Sequence, residues 1–207
     1  MGDRLLTRMG KAKRDLPVIS FKSQQAWDAW LTSQPAQSKG LWLKLAKKSS
    51  GIVSVSRPEA IDTALCHGWI NGQLDSFDDD YWLTRFTPRQ STSKWSEKNR
   101  ARALQLIESR RMQPAGLNEI ERAKKDGRWN AAYAPQSTAQ VPDDLRAALA
   151  KNKKAKSFFE TLDSTNRYAI LHRIHDAKKA ETRMARIEKF LTMLIEGKTI
   201  YPLKPRR

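Results

Sequence analysis

The stretch Ser56-Arg57-Pro58-Glu59-Ala60-Ile61-Asp62-Thr63-Ala64-Leu65-Cys66-His67-Gly68-Trp69-Ile70-Asn71-Gly72-Gln73-Leu74 changes its hydrophobic period once, and that change sets the architecture. Ser56 followed three residues later by Glu59 is a capping-box pattern, and Pro58 suits the first turn of the helix it opens. Ile61, Ala64 and Leu65 continue at helical spacing until Gly68 stops the helix. Beyond Gly68 the residues alternate, with Trp69, Asn71 and Gln73 on one face and Ile70, Gly72 and Leu74 on the other, which reads as a strand. A second alternating run at residues 81–86 follows the acidic turn 75–80, so the two runs pair as neighbouring strands.

Upstream, residues 18–21 read as a short strand, and Ser23 caps a helix carrying Trp27, Trp30 and Leu31 until Pro35. Leu41, Leu43 and Leu45 form the next strand, Ser49-Ser50-Gly51 a turn, and residues 52–55 its return strand. The expected order is β-α-β-β-α-β-β. Downstream, helices are predicted at residues 96–110, 115–126, 143–150, 155–162, 164–177 and 181–195, the second closed by Gly127 and the last by Gly197. The fold class is α+β: an N-terminal mixed layer with a small, largely antiparallel sheet, then a helical region. Residues 1–17 read as a disordered basic arm, 18–134 as the α+β domain with its following helices, 135–142 as a linker, 143–196 as a helical domain and 197–207 as a basic tail.

Among the 207 residues, 39 Lys and Arg face 22 Asp and Glu, a net charge of +17, and residues 135–207 hold 16 of the basic side chains against 8 acidic. An apolar share of 39% with seven Trp is enough for a packed core. The single cysteine, Cys66, excludes an intrachain disulfide and a cysteine-cluster zinc site. No apolar run reaches the length of a membrane span and no leader pattern opens the chain, so the expected location is the cytoplasm. A basic excess of this size attracts nucleic acid, acidic lipid or acidic protein.

Several blocks occur in an order that resembles the YdeI/OmpD-associated (OmdA-like, bacteriocin-protection) family. They are Ala64-Leu65-Cys66-His67-Gly68-Trp69-Ile70-Asn71-Gly72; Phe86-Thr87-Pro88-Arg89 with Ser93, Trp95-Ser96 and Asn99; Met112-Gln113-Pro114-Ala115-Gly116; Ala123-Lys124 with Asp126-Gly127-Arg128-Trp129; and Glu181-Thr182-Arg183 with Arg186-Ile187. The resemblance implies a cytoplasmic protein linked to tolerance of cationic peptides, bacteriocins and envelope stress, with no reaction or cofactor to carry over. His67 stands where that family usually has an aromatic residue, and Asn71 where it has Asp, so no acid–base role follows at position 71.

Four constellations invite chemistry. Arg89, Ser93, Ser96 and Asn99 gather a cation and hydroxyls at a predicted helix N-terminus, an arrangement suited to an anion and equally to an ordinary cap. Trp69, Asn71 and Trp95 would wall a cleft over that floor, and Arg183, packing back toward the N-terminal layer, would bond a carboxylate or add a second cation. Lys151, Lys153, Lys154 and Lys156, with Lys178 and Lys179, form a basic face fit for phosphates. His172 and His175 lie three apart on one helix without a third ligand, and Cys66 lies at a helix end unsuited to activating a thiolate, so neither metal nor cofactor is expected. The resulting expectation is a non-catalytic binding and stress-protection protein with an anion-accepting cleft, whose partner is an anionic small molecule or acidic partner. The rival is a sequence-tolerant nucleic-acid binder. An enzyme ranks third, because no base and nucleophile stand together.

Overall fold

A computed structural model of the chain describes residues 16–35 and 37–203. Most of the basic arm and Lys204, Arg206 and Arg207 of the tail lie outside the described residues. The fold is α+β, and the chain divides into two compact units, Met1–Ala132 and Tyr133–Arg207.

In the first unit β1 (Val18–Ser20) runs parallel to β2 (Leu41–Ala46), the two joined through α1 (Gln24–Thr32). β2 pairs antiparallel with β4 (Tyr81–Pro88), and β4 with β3 (Trp69–Ser76), in the order β1-β2-β4-β3. The expected return strand at residues 52–55 does not form, because β1 and β4 already occupy both edges of β2. That segment is satisfied otherwise: the Ser54 hydroxyl accepts from the Ala46 amide at 3.0 Å and the Val55 amide donates to the Phe21 carbonyl at 2.9 Å. The alternation expected along β3 also breaks. Asn71 pairs with Phe86 but Leu74 pairs with Thr84, so a bulge between them turns Leu74 onto the face that Asn71 shares.

One face of the sheet is covered by α1 and α2 (Arg57–Cys66). Trp27 is fully buried there. Its ring is stacked on Trp30 at 5.3 Å and edge-on to Phe86 at 5.4 Å. Its indole N–H donates to the Ala60 carbonyl at 3.1 Å, the partner that a buried indole needs. The far side of α2 contributes Leu65 and Cys66 to a second core with α3 (Glu97–Glu108) and α4 (Pro114–Lys125). Being buried on two sides, α2 has no polar stripe, and its buried Asp62 is held by the Arg102 guanidinium of α3.

The second unit holds α5 (Asp143–Ala150), α6 (Lys153–Thr161), α7 (Ser164–His175) and α8 (Ala180–Ile195) around Leu145, Phe159, Ile170, Ile174, Phe190 and Leu194. Asn152 and Asp163 cap α6 and α7 through the amides of Ala155 and Asn166. Ala139 and Val141, in the stretch read from sequence as a linker, pack against this core.

Candidate functional site

Arg89 is 5% exposed, its guanidinium carbon 3.6 Å from the centre of a Trp95 ring and its Nη1 donating to the Lys94 carbonyl at 3.3 Å. A cation over an indole face is attracted by the ring quadrupole. The Arg89 amide donates to the Gly68 carbonyl at 3.0 Å, which ties the end of β4 to the turn before β3. Ser96 Oγ caps α3 by accepting from the Asn99 amide at 3.1 Å, and Ser93 Oγ accepts from the Gln90 amide at 2.9 Å. Arg122 reaches both the Arg89 carbonyl and Glu119. Burial raises the Glu119 carboxyl, against the pull of the nearby positive charges of Arg122, Arg89 and Arg128, and of these Arg122 bonds it directly. The two tryptophans do not share a wall: Trp95 lies edge-on to Trp129 in the α2–α3–α4 core, and Trp69 packs edge-on to Trp30 over the sheet with Asn71 beside it on β3. Arg183 belongs to the other unit.

In the second unit all six lysines singled out, Lys151, Lys153, Lys154, Lys156, Lys178 and Lys179, are exposed. Among the described residues none of them forms an ion pair. Lys153, Lys154 and Lys156 lie on α6, and Lys178 and Lys179 stand just before α8. Lys153 and Lys154 rim a groove of about 470 Å³ floored by Phe158 and, at the C-terminal end of α8, Leu194 and Ile195. Lys178 and Lys179 precede the other end of α8. At about 1.5 Å of rise per residue, the length of that helix sets the two ends roughly 24 Å apart.

A feature not anticipated from sequence lies beside α7. Tyr133, Tyr168, His172, Arg173 and Tyr201 line a groove of about 430 Å³, and Tyr133, Tyr168 and His172 continue into a smaller cavity that reaches His175. The Tyr133 and His172 rings meet edge to face at 4.9 Å. The Tyr168 hydroxyl donates to the Ala134 carbonyl at 3.0 Å, and burial raises its pKa. The buried amide of Asn166 clamps Tyr201 from both sides, accepting from its N–H at 2.9 Å and donating to its carbonyl at 3.1 Å. Arg173 donates to the Tyr201 hydroxyl at 3.3 Å. The local signal is Tyr168 and His172, one helical turn apart on α7 with Arg173 beside them; Tyr133 comes from the end of the stretch expected to belong to the α+β domain and Tyr201 from the expected tail. Among the described residues no group of three or more His, Cys, Asp or Glu is placed to hold a metal, and no helix is long and apolar enough to cross a membrane.

Residues 138–197 match the family described as "Bacteriocin-protection, YdeI or OmpD-Associated". The C-terminal unit belongs to that family. Residues 19–119 match a separate family, "Domain of unknown function (DUF8412)", which takes in the blocks from Ala64 to Gly116. No curated protein and no solved structure matches the chain.

Within this bacteriocin-protection unit, the Glu181-Thr182-Arg183 block has a structural role. Arg183 grips both carboxylate oxygens of Asp144, at 2.5 and 2.9 Å, and donates to the Ile174 carbonyl at 3.0 Å. Arg186 donates to the Arg173 carbonyl. The two arginines of α8 thereby bond carbonyls in the last turn of α7, a position that favours cations. They also fix the helix that presents Tyr168, His172 and Arg173.

Proposed function

We propose that this member of the bacteriocin-protection family is a non-catalytic binding protein that acts in the cytoplasm and takes single-stranded nucleic acid, without sequence preference, on its C-terminal unit. The observation that carries this reading is the aromatic groove of Tyr133, Tyr168 and Tyr201 with Arg173 beside it, on a unit where six exposed lysines form no ion pair among the described residues. Unpaired bases stack on such rings at about 1–3 kcal/mol each, and every base offers a π-face, which makes the contact tolerant of sequence. Lysines that neutralise phosphates release counter-ions and make binding steeply salt-dependent.

Fluorescence anisotropy with a labelled oligouridylate and a duplex of equal length, at two salt concentrations, tests the reading. The single strand binds more tightly than the duplex, and added salt weakens it sharply. Replacing Lys151, Lys153, Lys154 and Lys156 with Gln flattens the salt slope by up to about 3, and Tyr201→Ala weakens the single strand about tenfold or more. Binding that is absent, or indifferent to both variants, rejects it.

A second reading keeps the anion site at Arg89, favoured by two further arginines held beside that segment, Arg122 on the Arg89 carbonyl and Arg128 on the Ser93 carbonyl. It requires the guanidinium to lift from Trp95. It predicts a thermal shift with phosphate or a dicarboxylate that Arg89→Ala removes.

A further inference from the structure

The N-terminal unit holds a pocket of its own, about 330 Å³, at the small end of the range for small-molecule sites. Three segments distant in sequence meet in it: Gln24 and Asp28 of α1, Thr63 and Cys66 of α2, and Arg111 and Gln113 of the connection between α3 and α4. Each wall is fastened. Gln24 Nε2 donates to the Thr63 hydroxyl at 2.9 Å, which itself donates to the Glu59 carbonyl at 2.9 Å. The Gln113 amide donates to the Cys66 carbonyl at 3.2 Å. Arg111 is delivered by an unusual turn: Arg110 adopts the left-handed conformation at φ +56°, and the amides of Arg111 and Met112 both return to the Leu106 carbonyl, at 2.9 and 3.2 Å. A non-glycine residue in that region is held against its preference, a condition concentrated at functional sites.

The charges of the pocket are opposite and do not cancel each other. Asp28 Oδ1 meets His67 Nε2 at 2.8 Å, its side chain is 48% exposed, and its second carboxylate oxygen has no partner among the described residues. Arg111 is exposed and, among the described residues, pairs with no carboxylate, Asp28 included. A simple anion entering here meets Asp28, a simple cation meets Arg111, and a neutral molecule leaves both unanswered. The carboxamides of Gln24 and Gln113 donate and accept, which suits a polar occupant. Burial pushes the Cys66 thiol up to about 11, so it adds no charge at neutral pH.

We propose that this pocket binds a small zwitterion, a free α-amino acid, whose carboxylate bonds Arg111 and whose ammonium group bonds Asp28. Charge-assisted hydrogen bonds at both ends supply the selectivity. The site is independent of nucleic-acid binding by the other unit.

The test is thermal-shift and calorimetric titration of the full chain with each of the twenty L-amino acids, and with the N-acetyl and carboxamide derivative of any that binds. At least one amino acid raises the melting temperature saturably, and blocking either end weakens it tenfold or more. Asp28→Asn, which keeps an oxygen for His67, and Arg111→Gln, at an exposed position on the turn, each remove the shift without changing the melting temperature of the free protein by more than a few degrees. The Lys151/Lys153/Lys154/Lys156→Gln variant binds the amino acid as the wild type does. No shift with any amino acid overturns the proposal; so does equal binding of the blocked derivatives, or unchanged binding by both pocket variants.

Discussion

Gly116 lies so close to Cys66 that a β-carbon on it would stand 2.4 Å from the Cys66 carbonyl oxygen. The same carbon would meet the Leu65 carbonyl at 2.8 Å and the Met112 sulfur at 2.5 Å. Two helix ends, the last turn of α2 and the first of α4, are therefore in backbone contact, and neither backbone has room to retreat inside the second core. Gly116→Ala is expected to destabilise the chain by about 2–3 kcal/mol through overpacking. Gly51→Ala is the control, since it has the left-handed φ of +68° but nothing within 4 Å. It costs only about 1–2 kcal/mol of backbone strain. Urea unfolding of the two variants distinguishes a packing constraint from a conformational one.

Arg110 presents the opposite case, a position that asks for glycine and does not have it. Its amide donates to the Ile107 carbonyl at 2.9 Å and the next amide to Leu106, the paired bonds of a glycine-type helix end. Relief of the left-handed strain, offset by the greater freedom of glycine in the unfolded chain, makes Arg110→Gly stabilising by about 0.5–1 kcal/mol. A lower melting temperature for this variant contradicts the strain.

The helices were legible because their signals are local. Ser56 with Glu59, Ser23, Ser96 and Gly197 are read within one turn of the ends they mark, and the caps form as read. What failed was decided at a distance. Residues 52–55 carry a sound hairpin pattern, yet the edge they needed is taken by β1, a partner contributed from before α1. The bulge in β3 follows from its register with β4 and leaves no mark in a strand of alternating residues. Arg89, Ser93 and Ser96 lie around the start of α3, but the guanidinium rests on Trp95, whose ring packs against Trp129 34 residues later, a contact that local spacing does not describe. Arg183 finds Asp144 39 residues earlier, and the groove beside α7 assembles Tyr133, Tyr168 and Tyr201 from three separate segments.

The Arg183–Asp144 pair carries a pH signature. Hydrogen bonds from Arg183 hold the Asp144 carboxyl below its ordinary range. A carboxyl depressed by folding contributes stability that is present above its unfolded pKa, about 3.9, and that is lost as pH falls through the lower folded value. Asp144 is 43% exposed, which keeps the contribution modest. Arg183→Met is therefore expected to destabilise the C-terminal unit at pH 7 by about 1 kcal/mol. The gap between variant and wild type narrows below about pH 4. A gap constant from pH 7 to pH 3, followed by denaturant midpoints, assigns the loss to the Ile174 contact alone.

Cys66 makes the alkaline counterpart, with the sign reversed. Burial among Leu65, Trp95 and Leu106 disfavours the thiolate and pushes the thiol up to about 11. The unfolded chain ionises near about 8.5, so the contribution of this group is fully present below that pH and is lost as pH rises through the folded value. Lysines and tyrosines titrate over the same interval, but they do so equally in Cys66→Ala, and the difference between the two proteins isolates the thiol. Relative to that variant, the wild type is expected to lose on the order of 1–2 kcal/mol between about pH 8.5 and 10.5. Maleimide labelling at pH 7.5 is expected to be slow and to accelerate only with denaturant, because a neutral, buried thiol is a poor nucleophile. Parallel stability curves for the two proteins up to pH 10.5, or rapid labelling of the folded chain, would mean that Cys66 is ionised within the pocket wall.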